Sequence, residues 1–244
     1  MAGIPGKPDE IFPGITRDFQ EIFGNDLVSI ILYGSGASGH YIPGKSDINF
    51  LVILTEAGME KIEKVFSVIH KWRKRKVAVP LFMTRSDMCS SLDSYPIEYL
   101  NMKRTYQTVY GEDVLGELKF DPAFIRLQCE RELKGKSLLL LQRFLETEGE
   151  SKKVRELMEA SITAFLSVFA ALLFLKGAEI PRDRREMIRA SADAFGLDPE
   201  VFLKCVDMKE GKAEFKAGEI LKSFRSYLKE VRRLAEVVDQ MKVE

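Results

Sequence analysis

Cysteine is scarce in this chain. Cys89, Cys129 and Cys205 are the only three in 244 residues, with no CxxC pair and no histidine close to any of them. A disulfide framework and a zinc site are therefore not expected, and a reducing cytoplasm is the default compartment. Histidine is scarcer still, with only His40 and His70, and neither follows an arginine at a separation of four to six residues. That spacing is what a common class of helical ribonuclease needs, so such an activity is excluded. Net charge is absent: 37 basic residues offset 37 acidic ones, and the balance holds on both sides of residue 120. Without a broad basic field, a general nucleic-acid binder is not expected, and a small substrate or a protein partner fits better. A long hydrophobic run is also missing. The longest uncharged stretch without glycine or proline, Ala160–Leu175, has 16 residues and includes Ser161, Thr163 and Ser167. A membrane span needs roughly 20 residues, so no membrane partner is expected and a central bundle helix is the better reading. The segment Met1–Pro8 has no apolar core of the kind a signal peptide carries.

What is present is concentrated in residues 27 to 54, LVSIILYGSGASGHYIPGKSDINFLVIL. Leu27–Tyr33 and Ile48–Leu54 have the length and β-branched content of short buried strands. Between them runs a loop opened by Gly34-Ser35 and closed by Ser46-Asp47. A Gly-Ser pair just past a strand can turn sharply and offer backbone N–H groups to a phosphate. Ser46 can hydrogen-bond in the same region. A carboxylate entering the next strand, Asp47, can sit beside that phosphate, where Mg²⁺ would bridge the two.

Along the rest of the chain the pattern changes once. Up to about residue 120, helical and strand periods alternate. A short helix is expected over Pro8–Phe23, then the two strands, then a helix over Glu56–Arg73 whose Met59, Ile62, Val65, Phe66 and Ile69 form one stripe. Val77–Met83 reads as a third strand, with Pro80 marking an edge or a bulge. Ser86 reads as a helix cap and Ile97–Tyr110 as another helix. Beyond Asp121-Pro122 the chain reads as helices over Pro122–Leu145, Ser151–Lys176, Arg182–Phe195, a short one from Asp198-Pro199 to Val206, and Lys212–Met241. The expectation is an α+β protein: a mixed sheet flanked by helices in residues 1–120, then an all-α antiparallel bundle in residues 121–244.

The residues around the loop resemble the DNA polymerase β-like nucleotidyltransferase superfamily. Its motif is a hydrophobic residue, Gly, Gly or Ser, about ten residues, then Asp-hydrophobic-Asp/Glu-hydrophobic. Tyr33-Gly34-Ser35 matches the first half, and Asp47-Ile48-Asn49-Phe50 matches the second except at Asn49. The plan of a small core followed by a helical bundle looks like the aminoglycoside or kanamycin type within that superfamily. The resemblance implies nucleoside monophosphate transfer from an NTP, ATP first among candidates, to a small-molecule or protein hydroxyl. It implies Gly34, Ser35 and Ser46 at the nucleotide, Asp47 and Asn49 at the catalytic positions, and Mg²⁺ on Asp47.

In this superfamily two Mg²⁺ ions rest on three carboxylates: two on the Asp-x-Asp strand and a third on a neighbouring strand. Asn49 cannot supply the second, because an amide offers no charge and one weak carbonyl oxygen. The strand VAVPLFM holds no acid to supply the third, and the nearest, Asp87, lies past Thr84-Arg85-Ser86. Metal assistance is worth several kcal/mol, so losing both ligands costs on the order of a thousandfold in rate. Three readings follow: a transferase completed by an acid from elsewhere, a pseudoenzyme that binds nucleotide or a partner without transfer, and a bundle serving as an oligomerisation or interaction surface. The basic run Lys71-Trp72-Arg73-Lys74-Arg75-Lys76 reads either as a helix C-terminus before an edge strand or as a phosphate contact with Trp72 as a stacking face. Arg131, Lys134 and Lys136 read as solvated or as phosphate contacts.

Overall fold

The computed structural model describes residues 3–212 and 217–243, and these separate into two compact units. The first comprises the chain up to Leu92 together with Tyr99–Lys119; the second takes Asp93–Glu98 and the chain from Phe120 onward.

The first unit is built on a four-stranded mixed sheet. Its strands are β1 (Leu27–Tyr33), β2 (Asn49–Leu54), β3 (Leu81–Thr84) and β4 (Tyr106–Gly111), in the order β3-β2-β1-β4. β1 runs antiparallel to both β2 and β4, while β2 and β3 are parallel. The inner strands read as continuous apolar runs because both are buried along most of their length. Helix α1 (Phe12–Phe23) lays Ile15, Phe19 and Phe23 on the sheet face formed by Ile30, Leu32, Phe50, Val52 and Leu54. Burying that many large side chains at roughly 1.5–3 kcal/mol each is the main force holding the unit together.

Four expectations need correction here. The expected single helix over Glu56–Arg73 is broken into α2 (Glu56–Met59), a 3₁₀ turn at Ile62–Val65 and α3 (Phe66–Arg73). The first piece is tethered rather than continuous: Thr55 caps it, donates to Asp26 at 2.7 Å, and Lys61 pairs with the same carboxylate at 2.6 Å. The third strand begins at Leu81, not Val77, because Pro80 interrupts it. Val77 makes only an isolated parallel bridge to Ile48, and β3 is an edge strand as Pro80 suggested. Thr84, not Ser86, caps the helix α4 (Arg85–Ser90), in a reciprocal capping box with Asp87. Finally, the expected helix Ile97–Tyr110 ends early: α5 (Pro96–Arg104) gives way to β4. The β-branched and aromatic run Thr108-Val109-Tyr110 pairs with β1, and Ser29 Oγ donates to the carbonyls of Tyr110 and Glu112. Gly111 closes that strand at φ +74°, where a Cβ would stand 2.0 Å from the Val28 carbonyl oxygen.

The second unit contains α6 (Pro122–Glu146), α7 (Ser151–Leu175), α8 (Arg184–Phe195), α9 (Pro199–Lys209) and α10 (Ala217–Asp239). The last expected helix began at Lys212, and its residues 213–216 lie outside the described ones. Asp121, Asp183 and Asp198 each cap the helix that follows, which is why these starts were legible. By length and composition α7 is the one helix among the described residues apolar enough to cross a membrane. It behaves as a bundle core: Phe165 packs edge-on to Tyr227, and Phe169 edge-on to Phe202.

Candidate functional site

The antiparallel pairing of β1 with β2 ends at Tyr33 opposite Asn49. The turn Gly34–Gly36 therefore begins directly beside the entry to β2. Gly34 sits at φ +72°, a conformation only glycine adopts without strain. A Cβ built on it would lie 3.4 Å from Asn49 Nδ2, so the asparagine amide rests against the turn. Asn49 Nδ2 also makes a long 3.4 Å contact to the Asp47 carbonyl. The Gly34 carbonyl accepts from the N–H groups of Ala37 and Ser38, and the Ser38 hydroxyl reaches back to the Ser35 carbonyl. Gly34, Ser35, Asp47 and Asn49 thus converge at one end of the β1–β2 pair.

Ser46 is engaged differently. Its hydroxyl accepts from the Ile42 N–H at 3.1 Å while its own N–H donates to the Ile42 carbonyl, which closes the turn before β2. A cleft of about 310 Å³ lies against the same loop at Gly36, Gly39 and Tyr41, with Lys7 and Asp9 of the N-terminal segment opposite. The five residues predicted from the motif are not in its lining. His40 lies exposed in the loop with Nδ1 3.1 Å from the Ser38 hydroxyl, and His70 is exposed on α3.

The neighbouring strand decides what stands beside Asp47. The Ile48 N–H donates to the Lys76 carbonyl and the Ala78 N–H donates to the Ile48 carbonyl, so Ile48 is level with Val77. By the alternation of a strand, Lys76 is then the partner of Asp47 and Ala78 the partner of Asn49. Those are the positions from which a third carboxylate would come, and they hold an amine and a methyl. Lys76 Nζ lies 3.9 Å from Asp47 Oδ1. Asp87, the nearest acid after β3, is committed elsewhere: its carboxylate accepts from the Thr84 N–H and hydroxyl, both at 2.9 Å. Those bonds hold it below the usual carboxylate range, the backbone one first. Sequence reasoning had Lys76 only as one member of a run with a phosphate-contact reading, and missed its place beside Asp47 because that depends on the register with the neighbouring segment.

The donor chemistry can be compared with what a divalent ion needs. Among the described residues, no three histidine, cysteine or acidic side chains gather into a group that could hold a metal. Asp47 is a single carboxylate with an ammonium beside it, and Asn49 contributes an amide. These residues do not fit a resident pair of divalent ions, which hard oxygen ligands and negative charge must hold.

Three other members of the basic run are structural, while Arg73 and Lys74 are exposed. Lys71 Nζ and the Trp72 indole N–H both donate to Asp18, at 2.6 and 2.8 Å, and the Arg75 Nε–H donates to the Gly3 carbonyl. Trp72 is buried rather than displayed as a stacking face. In the second unit Lys134 bridges Glu130 and Asp239, and Lys136 pairs with Glu132. A separate groove of about 540 Å³ lies there, floored by Leu140, Leu157, Ala160 and Phe165.

No family model matches the chain, and no curated protein sequence matches it. Among solved structures it is similar to a spectinomycin adenyltransferase from Enterococcus faecialis, determined with ATP and spectinomycin. Identity is 14%, the TM-score is 0.52, and the match covers 91% of this chain and 99% of the other. At that identity the likeness shows the fold. The chain has the fold of that adenyltransferase, an α+β core with a helical C-terminal region.

Proposed function

We propose that the first unit binds a nucleoside triphosphate, ATP foremost, with its phosphates at the Gly34–Ser35 turn, and does not carry out ordinary two-metal nucleotidyl transfer. The observation that carries this reading is the Tyr33–Asn49 register, which sets a glycine turn against the Asp47–Asn49 entry of β2. Support comes from the fold neighbour, which was solved with ATP.

Each residue has a stated part. Gly34 and Ser35 supply backbone N–H groups to phosphate oxygens. Asn49 adds a neutral donor at the turn, where a carboxylate would repel the anion in the absence of metal. Ser46 holds the loop shut, and Asp47 is the one acid of the expected set that remains. In-line transfer draws most of its rate from charge placed on the attacking and leaving oxygens, and one exposed carboxylate paired with a lysine does not provide for that. The reading is thus a nucleotide-binding pseudoenzyme. Three cysteines without a disulfide support a cytoplasmic setting for it.

A second reading, transfer of a nucleoside monophosphate to a small-molecule hydroxyl, is favoured by one observation. The fold neighbour was solved with spectinomycin as well as ATP. Calorimetric titration with ATP, GTP, CTP and UTP, with and without Mg²⁺, tests the first reading. Binding that is lost in Ser35→Asp, which puts a carboxylate where the anion sits, is the expected result. If no nucleotide binds under either condition, the reading fails; label appearing on an acceptor from α-labelled ATP would favour the second.

A further inference from the structure

We propose that this site takes the triphosphate without a divalent metal, the Lys76 ammonium and the Asn49 amide supplying what metal ions supply elsewhere in the fold. The proposal rests on the nucleotide-binding reading above and specifies how that site works.

The argument begins with charge. A site with carboxylates at the positions of Asp47, Asn49 and the neighbouring strand would carry three negative charges, and a triphosphate enters such a site only with cations between. Here those positions hold Asp47, Asn49 and the pair Lys76 and Ala78. The formal sum of those side chains is zero. An anion can then approach without a metal to screen it, and the flexible ammonium of Lys76 acts as a point charge for a phosphate oxygen.

Lys76 is held in place at a cost. Its backbone sits at φ +64°, one of two non-glycine residues in the left-handed region among those described. Glycine would occupy that position without strain. The conformation is fixed because the Lys76 carbonyl accepts from Ile48 N–H at 2.8 Å and its N–H donates to the Arg73 carbonyl at 3.2 Å. The side chain does not repay this through its ion pair. At 3.9 Å, with the lysine 42% and the aspartate 60% exposed, that pair contributes little to stability. The backbone conformation is that of a helix cap, since the Val77 N–H also donates to the Trp72 carbonyl at 3.2 Å. It is the charge, of small value as an ion pair and level with Asp47 beside a candidate anion site, that points to a ligand. Of the neighbouring cations, Lys71 and Arg75 are committed to Asp18 and Gly3, and Arg73 and Lys74 lie exposed on the run. Lys76 is the one the Ile48–Val77 register sets level with Asp47.

The test is titration of the full-length protein with ATP in EDTA and again in excess Mg²⁺. The affinity in EDTA is expected to lie within about threefold of that in Mg²⁺, since no metal bridges the site. Asp47→Asn, which would cripple a metal site, is expected to tighten ATP in EDTA by about threefold to tenfold by removing a like charge. Lys76→Gly is expected to weaken it by about tenfold or more, while Lys76→Arg retains it. Lys76→Gly relieves the backbone, so an unfolding midpoint no lower than that of the parent shows that lost binding is not lost folding. Binding that appears only with Mg²⁺, or that Asp47→Asn abolishes, overturns the proposal. Absence of ATP binding in both conditions overturns the nucleotide reading itself.

Discussion

Replacing Asp18 should destabilise the first unit more than any other single change to a polar residue there. Asp18 sits on the buried side of α1 with 8% of its surface exposed. Its Oδ2 accepts from the Trp72 indole N–H at 2.8 Å and from Lys71 Nζ at 2.6 Å. In Asp18→Ala the buried indole N–H loses its acceptor, which costs about 1–3 kcal/mol. The lysine is half exposed, so losing that pair adds less than about 1 kcal/mol. Alanine's better helix propensity returns about half a kcal/mol. The net expectation is a loss of roughly 2–3 kcal/mol, equivalent to a fall of roughly 8–13 °C in the midpoint for a unit of this size. Asp18→Asn keeps a carbonyl oxygen for the indole and should lose only about 1 kcal/mol. Urea unfolding followed by fluorescence is suited to this, because Trp72 is the only tryptophan and reports solely on the unit that contains it. A double-mutant cycle with Trp72→Phe, followed by circular dichroism in all four proteins because that change removes the fluorophore, should give a coupling of about 1 kcal/mol or more. A loss below about 1 kcal/mol for Asp18→Ala, or equal losses for Ala and Asn, would refute the assignment to the indole hydrogen bond.

The second unit offers further tests. Ser191 is fully buried and its hydroxyl has no hydrogen-bond partner among the described residues, so Ser191→Ala should stabilise α8 by about 0.5–1 kcal/mol in thermal or urea unfolding. Glu210 is held at about 2, below the ordinary value of 4.5, by hydrogen bonds from Lys212 and Arg185. Its depressed value means that its contribution is complete above pH 4.5 and is lost as the pH falls toward 2. Glu210→Gln should flatten the stability–pH profile in that window, by less than about 1 kcal/mol because the group is exposed. Burial pushes Cys129 up to about 12 and Cys205 higher still, whereas Cys89 is exposed. One thiol should therefore react rapidly with a disulfide reagent in the native protein and three after unfolding; two fast thiols would contradict the buried placement.

How far the fold was legible depends on where its determinants lie. β1 was bounded correctly at Leu27–Tyr33 because a buried inner strand writes itself as an apolar run ended by glycine. Helices α6, α8 and α9 were legible to within two or three residues because aspartates and prolines stand at their starts, and α7 because of its apolar run ahead of Gly177. β4 was not, because Tyr106–Gly111 follows α5 after one residue and its alternation is weak. The pairing that makes it a strand is to β1, far earlier in the chain, and only Gly111 hinted at it. The break within Glu56–Arg73 was hidden for a related reason: the apolar stripe was real, but Asp26 pins the first turn from outside the segment. Lys76 is the same problem at the candidate site. Read locally it is the last residue of a basic run, and only the parallel register of Ile48 with Val77 sets it opposite Asp47.

That register also makes the substitutions at the site intelligible as a set. An asparagine alone at position 49 would leave a half-equipped metal site, with Asp47 still repelling a bare triphosphate. A lysine alone at position 76 would neutralise one acid of a pair and leave the other unbalanced. Together they bring the group to zero formal charge while keeping the glycine turn, and a neutral cradle is the one arrangement in which an anion needs no bridging ion. The left-handed backbone at Lys76 is that of a helix cap closing α3, with the Val77 N–H on the Trp72 carbonyl, and the ion pair to Asp47 is too long and too exposed to account for the charge placed there.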